Sequence, residues 1–247
     1  MTVKKIDIHT HVLPGVDDGA RDWDTCLAML TASAKAGVTA VIATPHYLPW
    51  KKEVSGEEII KLCEEVSKKL LEKQGITMDI YPGNEIYYTV DAIQDLRKKE
   101  ILTLAGSRYV LVEFQQGFPY VNCYRAVKEL RDGGYIPIVA HVERYECLQR
   151  IDKINELREM GALFQMNIEA LQGGMFDAGA RWAKKCLKHH MIDFLASDMH
   201  GMNRRPPMKE AALQWVLKHV EPEYQQELLY SNAKKIIDSV RVAEKKG

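Results

Sequence analysis

"IDIHTHVLPGVDDG" (residues 6–19) poses the question that the rest of the chain answers. An apolar run that reads as a buried strand ends in His9 and His11, and Asp17 and Asp18 follow in a loop bracketed by glycines. Successive strand residues face opposite sides, so positions i and i+2 share a face and both imidazoles can be aimed at one point. The stretch reads as a strand whose C-terminal end carries chemistry, which is how α/β barrels are built.

The same unit recurs along the chain. Apolar runs at 3–9, 38–44, 77–83, 108–114, 135–141, 162–168 and 193–198 read as strands. Amphipathic patterns at 22–36, 56–73, 89–100, 121–132, 151–160 and 176–190 read as helices. "SGEEIIKLCEEVSKKLLEKQG" (55–75) shows the logic: a Ser start, apolar residues near helical spacing, and a closing Gly. Helices between successive strands predict parallel pairing through right-handed crossovers. The expected fold is α/β, a distorted (β/α)7 TIM-like barrel. Further helices are expected at 207–219, 222–230 and 232–243, then a short solvated tail at about 242–247. No low-complexity linker interrupts the pattern, so residues 1–247 are expected to form a single domain.

Composition narrows the function. Lys plus Arg equal Asp plus Glu at 34 each, which argues against a nucleic-acid partner held by bulk electrostatics. Five cysteines, odd in number and never in a CxxC pair, suit reduced thiols in a cytoplasmic protein. "MTVKKIDIHTHV" lacks an apolar core of signal-peptide length, and no apolar stretch approaches the roughly 20 residues of a membrane helix. A cytoplasmic location without membrane insertion is expected, and the oligomeric state is not legible.

The strand ends carry a consistent set of side chains. His9 and His11 close the first strand, and "ATPHY" after the second brings His46. "PGNE" brings Glu85, and the fourth strand ends at Glu113. "AHVER" brings His141, Glu143 and Arg144, and "SDMHG" brings Asp198 and His200. Five of the eight histidines thus fall at strand ends, while His189, His190 and His219 fall in helical segments. One such histidine is an ordinary structural residue. Imidazoles and carboxylates from six strand ends, gathered at one mouth, make sense when cations satisfy them. With nitrogen and oxygen donors and no thiolate, the set suits Mn, Fe, Zn or a similar divalent ion. So many ligands exceed the need of one ion, so two or three ions are expected, with Glu85 as candidate bridge.

Together these residues resemble the PHP (polymerase and histidinol phosphatase) superfamily of metal-dependent phosphoesterases. "DIHTHVLPGVDDG", "GNEIYYT", "RYVLVEF", "IPIVAHVERY" and "ASDMHGMNRRPP" resemble, more narrowly, its bacterial protein tyrosine phosphatases of the capsule and exopolysaccharide type. The resemblance runs from residue 6 to about 240. It implies the PHP fold and a trinuclear centre. One ion would take His9, His11, Glu85 and Asp198. A second would share Glu85 and add Glu113 and His141, and a third would take Asp18, His46 and His200. Manganese is the first expectation, with Fe, Zn, Mg, Co or Ni as alternatives. Many PHP proteins carry histidine where this chain has Asp18 or Glu113, and the carboxylates match the tyrosine phosphatase branch. Asp17 is read as a loop residue or one standing behind the ligands.

The resemblance also implies catalytic arginines at Arg144 and Arg205, with Arg204 as the rival to Arg205. It implies a protein-tyrosine-phosphatase in which ion-activated water attacks phosphorus in line. The expected partner is a phosphotyrosine protein, the tail of a capsule-type tyrosine kinase. Tyr47, Tyr88, Tyr120 and Tyr145 are candidates to line the mouth, although each alone reads as a packing residue. No cysteine is followed by arginine six residues later, so thiolate phosphatase chemistry is excluded. Walker-type and GxGxxG loops are absent as well. Three other readings stay open: a histidinol-phosphate or nucleotide phosphatase, an amidohydrolase-type enzyme, for which no bridging lysine is in place, and a non-catalytic metal-binding regulator of a kinase.

Overall fold

The structure is a computed structural model that describes residues 4–51, 54–98, 100–174 and 176–244. Strands and helices alternate from β1 (Lys5–Thr10), α1 (Trp23–Lys35) and β2 (Val38–Ala43) to β3 (His46–Tyr47) and α2 (Gly56–Gln74). Then come β4 (Asp79–Pro82), β5 (Glu85–Tyr87), α3 (Ala92–Lys98), β6 (Tyr109–Glu113), α4 (Tyr120–Asp132) and β7 (Ile136–Val139). The last are α5 (Ile151–Glu159), β8 (Leu163–Asn167), α6 (Ala178–Lys188), β9 (Phe194–Ala196), α7 (Glu210–His219), α8 (Pro222–Gln226) and α9 (Asn232–Glu244). The start of the first expected strand, Val3, lies outside the described residues. The tail expected at about 242–247 begins inside α9, and its residues 245–247 lie outside them too.

All pairings are parallel and follow chain order, in a sheet β1-β2-β4 and a sheet β3-β5-β6-β7-β8-β9. The sheet curls until the segment after β9 meets β1. The Asp198 amide donates to the His9 carbonyl at 2.9 Å, and the His11 amide to the Met199 carbonyl at 3.0 Å.

Two of the expected strands continue, after a break, in short strands that the sequence did not announce. The second pauses at Thr44-Pro45 and resumes as β3, and the third pauses at Gly83-Asn84 and resumes as β5. Pro45 has no amide to give a ladder, so the neighbours stitch the gap with other donors. Asn84 Nδ2 donates to the Pro45 carbonyl at 3.0 Å, and Asn84 Oδ1 accepts from the Leu102 amide at 2.9 Å. A Cβ on Gly83 would lie 3.0 Å from Leu104, so glycine suits that close approach. After the breaks, β3 and β5 pair in a register that sets His46 opposite Glu85.

Alternation decides which side chains reach the site. On β6, Val110 and Val112 pack into the main hydrophobic cluster, while Leu111 joins a second cluster with Ile42, Ile138, Phe194 and Ile236 and Ile237 of α9. Glu113 continues the Leu111 face. The helices are set by local signals. Ser55 and Glu58 form a reciprocal capping box at the start of α2, and Gly75 ends it in the left-handed conformation (φ 65°).

Candidate metal centre

Every strand end named from the sequence converges on one point. His9 Nε2 lies 3.2 Å from Glu85 Oε1 and 3.4 Å from Asp198 Oδ1. His11 Nε2 lies 3.2 Å from Glu85 Oε2 and 3.4 Å from Asp198 Oδ1. The His141 Nε2 approaches Glu85 at 2.9 Å and Glu113 at 3.5 Å. His46 stands between two groups: Nδ1 faces Glu85 at 3.0 Å and Glu113 at 3.2 Å, and Nε2 faces Asp18 at 3.4 Å. His200 Nε2 reaches Asp18 at 3.3 Å. Three sets place their donor atoms close enough to share an ion: His9, His11, Glu85 and Asp198; His11, Asp18, His46 and His200; and His46, Glu85 and Glu113. Glu85 joins two of these sets, and His46 links the last two.

The backbone is bent to reach this arrangement. Alternation along β7 would send His141 to the Val139 face, but its backbone is left-handed (φ 33°) and turns the ring inward. Asp198 (φ 51°) and Arg205 (φ 46°) adopt the same conformation. For non-glycine residues it costs on the order of 1–3 kcal/mol each and concentrates at functional sites.

Each of four imidazoles is held from behind through Nδ1, which turns its Nε2 toward the centre. His9 Nδ1 bonds Gln165 Oε1 at 3.0 Å, and His11 Nδ1 bonds Asp17 Oδ2 at 2.6 Å. His141 Nδ1 meets the Tyr145 hydroxyl at 3.3 Å, and His200 Nδ1 bonds the Asp198 carbonyl at 2.9 Å. For His9, His11 and His200 the acceptor behind Nδ1 fixes the tautomer that presents an Nε2 lone pair to a cation. Asp17 also accepts the amides of His46 (3.1 Å) and Gly19 (2.9 Å), so it shapes the whole 11–19 loop. The loop folds so tightly onto β1 that a Cβ on Gly19 would sit 2.1 Å from the His11 carbonyl oxygen. Of the two aspartates, Asp17 works from behind and Asp18 faces the ring of His200.

Sequence reasoning missed the amides of β8. Gln165 Oε1 also accepts the His141 amide at 2.8 Å, Gln165 Nε2 donates to Asn167 Oδ1 at 2.8 Å, and Asn167 Nδ2 donates to Asp198 Oδ2 at 2.7 Å. This chain of bonds ties β1, β7 and β9 together. Its signal was present: two amides at i and i+2 inside the apolar run "ALFQMNI". The four tyrosines that were candidates to line the mouth are engaged through their hydroxyls. Their hydroxyls bond Asp95 (Tyr47), Glu129 (Tyr88), Glu156 (Tyr120) and the Phe114 amide (Tyr145). Glu143 accepts the Asn167 amide at 3.4 Å and stays out of the ligand sets. His190 and His219 lie against Tyr224 and Trp215, at ring separations of 4.2 and 4.7 Å.

The electrostatics suit a cation. Burial opposes the charge on Glu85, yet the His9 charge and the close approach of the His11, His141 and His46 imidazoles hold its carboxyl well below the usual range. Asp18 is held low by the imidazoles of His200 and His46 that face it. Asp198 is held low against its burial by the charge of His9 and a hydrogen bond from His11. These carboxylates are therefore ionised at neutral pH. Three buried atoms, His46 Nδ1, Glu85 Oε2 and His200 Nε2, make no hydrogen bond. An unsatisfied buried polar atom costs about 1–3 kcal/mol, and a divalent ion would satisfy all three. The donor set and its orphaned atoms fit a metal cluster.

Two arginines complete the mouth. Arg144 donates to Asp198 Oδ2 at 2.8 Å, and Arg205 lies 3.3 Å from both Asp198 oxygens and 3.6 Å from Asp18. Arg204 is exposed and takes no part in this contact.

Residues 5–238 match the family described as capsular polysaccharide synthesis, CpsB/CapC. The chain belongs to the CpsB/CapC family. Within it, the tyrosine-protein phosphatase CpsB of Streptococcus pneumoniae is 32% identical over 238 residues, covering 94% of this chain and 98% of that protein. The crystal structures of YwqE from Bacillus subtilis and CpsB from Streptococcus pneumoniae, described as unique metal-dependent tyrosine phosphatases, include a chain of the same shape. It matches with a TM-score of 0.85 at 30% identity, covering 95% of this chain and 94% of that one. An organophosphorus hydrolase from Deinococcus radiodurans shares the fold alone, with a TM-score of 0.57 at 14% identity and coverage of 95% and 92%. The CpsB/CapC match spans every strand that feeds the centre.

Proposed function

We propose that the chain is a metal-dependent protein tyrosine phosphatase that dephosphorylates the tail of a capsule-type tyrosine kinase in the cytoplasm. The observation that carries this reading is the single cluster of nine His, Asp and Glu side chains with two arginines beside it, in a CpsB/CapC chain. Counting each interrupted strand once gives a distorted (β/α)7 barrel with this cluster at its mouth.

His9, His11, Glu85 and Asp198 would hold one ion, Glu85, Glu113 and His141 a second, and Asp18, His46 and His200 a third. The contact of His46 Nδ1 with Glu85 and Glu113 makes it a candidate to share the second ion as well. Manganese suits the mixed imidazole and carboxylate donors. Divalent ions bound there supply the Lewis-acid chemistry that activates water and neutralises phosphoryl charge.

The chain's own part is positioning. Asp198 gathers both guanidinium groups at the rim, where Arg144 is 33% and Arg205 20% exposed, so their remaining N–H groups meet an incoming phosphoryl group. Planar guanidinium groups match phosphoryl oxygens in pairs and stabilise charge that grows in the transition state. Gln165 and Asn167 hold the supporting residues in register. The phenol of phosphotyrosine, with a pKa of about 10, leaves with little help from an acid.

Phosphate release by manganese-loaded protein, from a phosphotyrosine peptide and from histidinol phosphate, tests this reading. A preference for the peptide is expected. A preference for histidinol phosphate would overturn the substrate assignment.

A further inference from the structure

The cluster is open on one side. Glu85 and Asp198 are each 1% exposed, but Asp18 is 57% exposed. A cavity of about 510 Å³ borders it there, reaching from Asp18, His200 and Arg205 to α1 and the 201–205 loop. This volume falls in the range of small-ligand pockets, about 300–1,000 Å³. Its far wall joins Ala28 of α1 to Met202, an apolar side chain left 44% exposed. Its rim carries Arg204, exposed beside the Arg205 that Asp198 and Asp18 hold in place. Arg21 and Asp24 also line it, and Arg21 is already paired with Asp22 at 2.9 Å. Arg204 is therefore the cation that an incoming group meets.

We infer that this cavity seats the tyrosine leaving group against Met202 and Ala28, and that Arg204 selects peptides carrying an anionic side chain beside the phosphotyrosine. This rests on the phosphotyrosine reading above. A phosphoryl group held by Arg144 and Arg205 turns its ester oxygen toward the adjoining space, which receives the ring. A peptide leaving that space passes the 201–205 loop, where a flanking carboxylate or second phosphoryl group pairs with Arg204. A single exposed ion pair contributes up to about 1 kcal/mol, so selection is modest and electrostatic.

Three phosphotyrosine peptides, with serine flanks, aspartate flanks or a second phosphotyrosine, test it on manganese-loaded enzyme in low salt. Wild type is expected to favour the anionic peptides by about threefold in kcat/KM, and Arg204→Glu to favour the serine peptide instead. The more favoured anionic peptide identifies whether carboxylate or phosphoryl is read. The readout is a ratio within one protein sample, so partial misfolding of the variant leaves it intact. Equal rates on all peptides, or a ratio unmoved in Arg204→Glu, would overturn the inference and leave the phosphatase reading standing. Turnover of none of the three by wild type would instead remove the phosphotyrosine reading.

Discussion

At the scale of single residues, the centre separates groups that meet a ligand from groups that aim them. Arg144 is proposed to belong to the first kind. Arg144→Ala removes a guanidinium from the rim, and an expected fall in kcat of about 10²-fold, the usual effect of losing one transition-state donor, is read by steady-state kinetics on phosphotyrosine peptide. Asp17 belongs to the second kind. Burial works against its charge, but the charge and hydrogen bond of His11 hold its carboxyl down at about 2, so it stays an acceptor at any working pH. Asp17→Asn offers His11 a weaker and ambiguous partner, and the affinity for manganese is expected to fall about 10- to 100-fold in a competition titration. Asp7, on β1 two residues before His9, gives a pH signature. It accepts the amides of Ser197 (3.1 Å) and His9 (3.4 Å) through Oδ1, while Oδ2 is buried without a partner. Burial pushes its carboxyl from 3.8 up to about 6. The folded protein therefore binds this proton more tightly than the unfolded chain. The stability it confers is full below pH 4 and is lost as the pH rises through 6. In metal-free protein, Asp7→Asn is expected to gain on wild type across that window by about 1–3 kcal/mol, measured by urea unfolding at pH 4, 5, 6 and 7.

At the scale of elements, stability and chemistry are carried by different residues. The capping box of α2 contains none of the ligand candidates. Ser55→Ala is expected to lower the unfolding free energy by about 1 kcal/mol, and an unchanged denaturation midpoint would show that the cap contributes nothing. The elements were legible because apolar runs and helical periodicity are strong local signals, and α2 was readable down to its Ser start and Gly end. What stayed hidden depends on contacts between distant segments. The breaks at Pro45 and Gly83 re-register two strands, and only the folded sheet shows that this sets His46 opposite Glu85. The nine strand-end ligand candidates were legible because costly polar groups at the ends of buried strands demand a reason. Gln165, Asn167 and Tyr145 were not read as their supports, and Asp17 only as a loop residue or one standing behind the ligands, because an amide or hydroxyl behind a ligand looks like any polar residue in sequence. The left-handed turn that brings His141 inward has no local signature either, since histidine carries no preference strong enough to announce it.

At the scale of the molecule, the curled parallel sheet brings residues from 9 to 205 to one mouth. The bonds between the segment after β9 and β1 join the two ends of the curled sheet, so His9 and Asp198 become neighbours. A cluster of buried carboxylates and imidazoles from so many strands is a natural place for cations to stabilise the fold, and ligand at 100 times its dissociation constant adds about 2.7 kcal/mol. The central claim is that these ions and the phosphotyrosine chemistry are one system. The most direct measurement titrates manganese into chelated protein and follows bound metal and phosphate release from a phosphotyrosine peptide in the same samples. Turnover absent without metal, and rising until two or three ions are bound per chain, is the expected result. Undiminished hydrolysis by metal-free protein, or stoichiometric metal binding without hydrolysis, would contradict it.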